Sequence, residues 1–193
     1  MKLSYFSFLL VFFLNWKLSA AITTGDIYTL DSLVDDSVSI SLVARSDGSV
    51  TVEPFSNNAP EQRFIVKTVS GGEPSTNIFN LFTEAQPWNW IDYIVESSKT
   101  VNIKETPQIL DVAIKDGVQT VFLGDYKGQN MNSHKWYVVP SGGDELVGRL
   151  TNVANRLCLI NNGPNASATV GICNPSDPNQ LWRLTRRTQG RCY

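Results

Sequence analysis

Between Ile27 and Val69 the chain is rich in Val, Ile, Thr and Ser, in short runs broken by Asp and Gly. Val38 to Val43 nearly alternates apolar and polar, and Val50-Thr51-Val52 follows the turn signal Ser46-Asp47-Gly48. Alternation sends successive side chains to opposite faces of a strand, and Asp-Gly supplies a tight reversal between two strands. No helical period survives three turns here, so the region reads as β-strands. After Pro54 and a polar loop from Ser56 to Pro60, Glu61-Gln62-Arg63-Phe64-Ile65-Val66 resumes the pattern.

The same sequence of events recurs downstream. Gln108 to Val112 leads through the turn Lys115-Asp116-Gly117 to Thr120-Val121-Phe122-Leu123. Tyr126 and a polar loop, Lys127 to Asn132, precede His134-Lys135-Trp136-Tyr137-Val138-Val139. Near the C-terminus come Arg156-Leu157-Cys158-Leu159, a Gly/Asn-rich loop, Cys173, and Asn179-Gln180-Leu181-Trp182.

Set side by side, Leu42, Leu110 and Leu159 each begin a segment of two strands, a polar loop and a closing aromatic. The closers Phe64, Trp136 and Trp182 follow 22, 26 and 23 residues later, with Phe55, Tyr126 and Cys173 at equivalent middle positions. In the first closer the Trp is replaced by Phe beside Gln62; in the second, His134 stands where Gln would be. A unit of this kind cannot bury its apolar edge alone, so the expectation is three degenerate units, about residues 25–68, 69–140 and 141–187, packed around a pseudo-threefold axis.

The spacing between units is uneven. About 23 extra residues separate the first two, and they carry the aromatic passage Gln86-Pro87-Trp88-Asn89-Trp90-Ile91-Asp92-Tyr93. Trp88, Trp90 and Tyr93 on an inserted loop offer a glycan-stacking platform or a protein hot spot. The alternative is a lid that plugs one end of the fold.

The N-terminal segment leads to the expectation of a chain outside the cytosol. Met1-Lys2, an apolar run from Tyr5 to Leu14 and small residues at Ser19-Ala20-Ala21 fit a secretory signal peptide over residues 1–21, with an uncleaved anchor as the alternative. Removing Lys2 and Lys17 with it takes the formal charge from −2 to about −4, which speaks against a nucleic-acid partner. The remaining chain, 22–187 with a short tail 188–193, suits one domain, and no later run is long enough to span a membrane. Of the three cysteines, Cys158 and Cys173 are the natural pair. Their loop contributes about 3 kcal/mol in the chain-entropy model. Cys192 is left over, either for an intermolecular disulfide or as a capped thiol. Asn165-Ala166-Ser167 is an N-glycosylation sequon on the loop between the paired cysteines. Arg183, Arg186, Arg187 and Arg191 form a basic end, read either as a dock for an acidic glycan or as a solvated terminus.

At the repeat residues the chain resembles the ricin B-chain type lectin family. Leu157-Cys158-Leu159, Cys173 and Asn179-Gln180-Leu181-Trp182 look like that family's disulfide-framed Q-x-W repeat, and Ile109-Leu110-Asp111-Val112 is similar to its C-L-D-V with the Cys replaced. The resemblance covers about residues 25–185. It implies a β-trefoil fold, with the aromatic insertion in the second repeat, and a protein that binds galactose-type and related sugars of glycans or glycoproteins. For each site it implies an Asp after the C-L, an aromatic platform on the middle strand and an Asn just before the Gln. Such a set suits a pyranose, whose C–H face packs on a ring while carboxylate and amide take adjacent hydroxyls.

Carried over residue by residue, the third unit keeps Asn179 but has Ile160 at the Asp position and Gly171 near the platform position. The first has Val43 and Glu61 in place of Asp and Asn. The second keeps Asp111, with Tyr126 as the nearby aromatic and Asn132, Ser133 and His134 as polar partners, while Gly124 falls at the platform position. The candidate carbohydrate-binding residues are therefore Asp111, Tyr126, Asn132, His134 and Asn179. Asp111 alone matches the motif, and capping of the following turn is its alternative role. Phe64, Trp136, Gln180 and Trp182 are assigned to the repeat core.

The sequence carries no H-E-x-x-H, no Gly-rich phosphate loop and no clustered Cys/His spacing. Asp35-Asp36 are adjacent and would face opposite ways on a strand, so a turn is the better reading than a catalytic pair. The expectation is a secreted, non-enzymatic lectin-like protein without cofactor or metal. The alternative is a relative that has lost sugar binding and acts through protein contacts, as an extracellular coat component or protease inhibitor.

Overall fold

The computed structural model describes residues 22, 24–34, 39–69, 78–83, 108–115, 117–126, 131–141 and 144–188. The signal-like segment, Asp35-Asp36, the Trp88/Trp90/Tyr93 passage, Arg191 and Cys192 lie outside them. The described residues are all-β, with twelve strands and three one-turn 3-10 helices. In chain order the strands are β1 (Ile27–Ser32), β2 (Ile40–Ala44), β3 (Val50–Pro54), β4 (Phe64–Thr68), β5 (Phe79–Thr83) and β6 (Gln108–Lys115). There follow β7 (Val118–Asp125), β8 (Trp136–Ser141), β9 (Asp144–Asn152), β10 (Cys158–Ile160), β11 (Thr169–Gly171) and β12 (Trp182–Thr188).

Their pairings close a ring. It runs β1–β4–β5–β6–β7–β11–β10–β9–β12 and back to β1, nine strands in all, with β2, β3 and β8 attached outside it. This corrects the expected β-trefoil of three degenerate units around a pseudo-threefold axis. The described fold is a closed nine-strand barrel with three outer strands, and the ring treats the units unequally. The hairpins β6–β7 and β10–β11 are members of it, joined through Thr169↔Thr120. The hairpin β2–β3 hangs from β1 by Asp31↔Ser41 and Ser32↔Ile40, and meets the other hairpins through the isolated bridges Ser49↔Phe122 and Thr51↔Ser167. Alternation and turn residues specify strands and local hairpins, whereas the choice of more distant neighbours depends on packing between segments far apart in sequence.

The local repeat survives inside this barrel. Each closing aromatic follows a single 3-10 turn: Pro60–Gln62, Asn132–His134 and Pro178–Gln180. Phe64, Trp136 and Trp182 are fully buried in one core with Tyr28, Leu42, Leu110 and Leu159. The two indole N–H groups donate to the carbonyls of the unit-opening leucines, Trp136 Nε1 to Leu110 O at 3.1 Å and Trp182 Nε1 to Leu159 O at 3.0 Å. A buried indole needs such a partner. Phe64 needs none, which is why Phe suffices there.

The glutamine beside the closer is a backbone clamp. Gln62 Oε1 accepts from Ser56 N at 2.7 Å while its Nε2 donates to Pro54 O at 2.8 Å. Gln180 repeats this with Asn174 N at 2.8 Å and Ile172 O at 2.9 Å. In both units the amide holds residues six and eight positions upstream, pinning the loop to the 3-10 turn. The Cys158–Cys173 disulfide adds a covalent tie in the third unit.

Candidate functional site

The second unit has no glutamine clamp, and the substituted histidine turns elsewhere. Asp111 lies in β6, after the buried pair Ile109-Leu110, and His134 ends the 3-10 turn before Trp136. His134 is fully buried, and its Nε2 lies 3.1 Å from Asp111 Oδ2. The other carboxylate oxygen accepts Val112 N–H at 2.7 Å, and the Ser133 hydroxyl also reaches the group. Burial pushes the Asp111 carboxyl upward, but the bonds from His134, Ser133 and Val112 outweigh it and hold the group below the usual carboxylate value. An ionised carboxylate only accepts, so Nε2 carries the proton of this hydrogen bond. Among the described residues Nδ1, a buried polar atom, has no hydrogen-bond partner.

The aromatic at this site is not the one the sequence pointed to. Tyr126 is 7% exposed, in a second small cluster with Phe82 and Ile109. Its ring meets Phe82 edge-on at 5.2 Å, lies 5.9 Å from the His134 ring, and has the Lys67 ammonium 5.8 Å from its centroid. Tyr126 therefore backs the site from the core and offers no open face. Phe122, half-buried, stands directly across the hairpin from Asp111. A Cβ on Gly124 would meet Phe122 Cε2 at 3.1 Å and Asp111 Oδ2 at 3.1 Å. The bare glycine thus leaves room in which ring and carboxylate lie together. Asn132 is exposed at the rim, its Oδ1 accepting from Lys135 Nζ at 3.0 Å.

The corresponding places elsewhere are closed. In the third unit a Cβ on Gly171 would lie 2.7 Å from Ile160 Cδ1, so the isoleucine fills what Asp111 leaves polar. Asn179 is tied to Asp177, its N and Nδ2 both donating to Oδ1 at 2.9 and 3.0 Å. In the first unit Val43 is buried. The structure brings Asp111, His134, Ser133 and Phe122 together, sets Asn132 at the edge, and keeps Asn179 in a different unit.

Two of the four arginines of the basic end are tied to the barrel. Arg186 Nη2 pairs with Asp26 at 2.6 Å, and Arg187 reaches Asp31 at 3.2 Å and Thr29 Oγ1 at 2.9 Å. The Arg187 guanidinium also lies 4.0 Å from the centroid of the Phe55 ring. Asp26 and Asp31 are buried, so these arginines balance interior charge. No group of three metal-ligating side chains is found among the described residues. Among those residues, too, no helix is long and apolar enough to cross a membrane.

No family model and no curated protein matches this sequence. Solved structures do match in shape. A mosquitocidal holotoxin aligns over 86% of this chain with a TM-score of 0.60 and 15% identity, and the chain spans 18% of the holotoxin's length. SeviL, solved with the saccharide of asialo-GM1, aligns over 86% of this chain and 100% of its own, with a TM-score of 0.54 and 11% identity. A Polyporus squamosus lectin, bound to a human-type influenza-binding sialylated epitope, covers the same 86% of this chain and 50% of its own, at a TM-score of 0.53 and 11% identity. Sugar-bound lectins are thus among the structural neighbours, and at these identities the likeness is one of fold.

Proposed function

We propose that this chain is a secreted, non-enzymatic carbohydrate-binding protein of the ricin B lectin type, with its working site in the second unit. The observation that carries the reading is the Asp111 carboxylate, kept ionised beside the half-buried Phe122 and aimed by His134 and Ser133. A sugar hydroxyl pair donates to Asp111 while a C–H face of the ring rests on Phe122. Structural neighbours solved with saccharides support the reading. Galactose-type sugars, the class expected from the family resemblance, are the first to test.

Secretion through the N-terminal segment is part of the same proposal. Asn165 is exposed on a turn with φ 61°, and its sequon is the expected acceptor of an N-linked glycan. Enzymatic deglycosylation of protein secreted by a eukaryotic host should then lower its mass, and Asn165→Gln should abolish that shift.

The test of function is a glycan array probed with the secreted chain, with and without reductant. Signal on galactose-terminated glycans is the expected result. No signal on any glycan, with a protein captured instead through Trp88 and Trp90, would favour the protein-contact alternative.

A further inference from the structure

A groove of about 480 Å³ opens where the three hairpins meet. It is lined by Asp47 and Ser49 from the β2–β3 turn, Ala113, Thr120 and Phe122 from β6–β7, and Ser167 ahead of β11. The walls are fixed by main chain. Leu123 N–H donates to Gly48 O at 2.8 Å, Ala168 N–H to Val50 O at 2.9 Å, and Ser49 bridges to Phe122. Such a cradle loses little freedom when a ligand enters.

Its chemistry is narrow. Ser49 donates to Asp47 Oδ1 through both N–H, at 2.9 Å, and hydroxyl, at 2.6 Å. These bonds hold the exposed Asp47 carboxyl below its usual range. Thr120 and Ser167 supply hydroxyls, and Phe122 supplies a ring. The described lining contains no Lys, Arg or His, which disfavours phosphate or other anions. A carboxylate, hydroxyls and one aromatic edge match a neutral polyol.

The groove also adjoins the Asp111 site. Phe122 lies across from Asp111 and Ala113 across from Thr120, so both places share one face of the β6–β7 hairpin. Asp111 and Ala113 are two residues apart, about 7 Å along the strand and comparable with the length of one hexose residue. We propose that the groove is a second saccharide subsite, continuous with the Asp111 site across Phe122, so that the ligand is a linear oligosaccharide and not a single sugar. This rests on the sugar-binding reading above.

The test is amide-shift titration of the full isotope-labelled chain with galactose, N-acetyllactosamine and lacto-N-tetraose, for the parent, Ala113→Trp and Asp47→Asn. Ala113 is exposed, so the tryptophan fills the groove without entering the core. The tetrasaccharide should move the amides of Gly48, Ser49, Thr120 and Ser167 as well as that of Val112, and bind about tenfold tighter than galactose. Both variants should remove that gain and leave galactose binding unchanged. Shifts confined to the Asp111 side, or equal affinities in parent and variants, would overturn the groove while leaving the lectin reading intact. No shift with any sugar would overturn both.

Discussion

The second and third units share a local backbone plan and use the same positions for opposite ends. In the third, the disulfide ties the loop, Gln180 clamps it, and Ile160 fills the space over Gly171. In the second there is no disulfide, His134 replaces the clamp, and Asp111 occupies the isoleucine's place with Phe122 beside it. One exchange, Gln to His, turns a group that satisfies two backbone atoms into one that positions a carboxylate. The best-preserved motif is therefore framework, and the degraded copy holds the polar constellation.

If the third unit is framework, its alteration should cost mainly stability. Trp182→Ala should lose the most, about 3–5 kcal/mol, read from urea unfolding, since a fully buried indole and its bond to Leu159 go together. Replacing Cys158 and Cys173 together by Ser should lower stability by about 3 kcal/mol, the entropy of a fifteen-residue loop. Gln180→Ala should cost about 2 kcal/mol, because a backbone N–H and a carbonyl lose their partner. The smallest effect concerns the second unit. The Asp111 carboxyl is depressed in the folded chain, so its contribution is present above the unfolded value of 3.8 and is lost as pH falls through the lower folded value. Melting curves of the parent and Asp111→Asn should therefore differ at neutral pH, begin to approach each other only below pH 3.8, and converge once pH has fallen past the lower folded value. A constant gap across that range would separate the pair from the acid response.

Much of this was readable in the chain. Alternation around Asp-Gly turns locates the hairpins, and the spacing singles out Leu110 with Trp136 and Leu159 with Trp182, the pairs that the indole–carbonyl bonds join. Phe122 was recoverable as well. A two-residue turn at Asp116-Gly117 pairs Lys115 with Val118, and counting outward sets Asp111 opposite Phe122. Ring closure was not legible, because Thr120↔Thr169 and Asp31↔Arg183 join residues far apart with no local signature. The same holds for Arg186 and Arg187, whose buried partners Asp26 and Asp31 lie at the other end of the chain. Tyr126 failed as a platform because equivalence in sequence does not say which face of a strand end is covered.

The division of labour between the units is tested most directly by one array experiment on three proteins: the parent, Asp111→Ala and Asn179→Ala, each checked for folding by circular dichroism. Asn179→Ala should bind galactose-terminated glycans as the parent does, and Asp111→Ala should lose the signal while remaining folded. Loss of binding in Asn179→Ala with retention in Asp111→Ala would place the chemistry in the third unit and contradict the assignment.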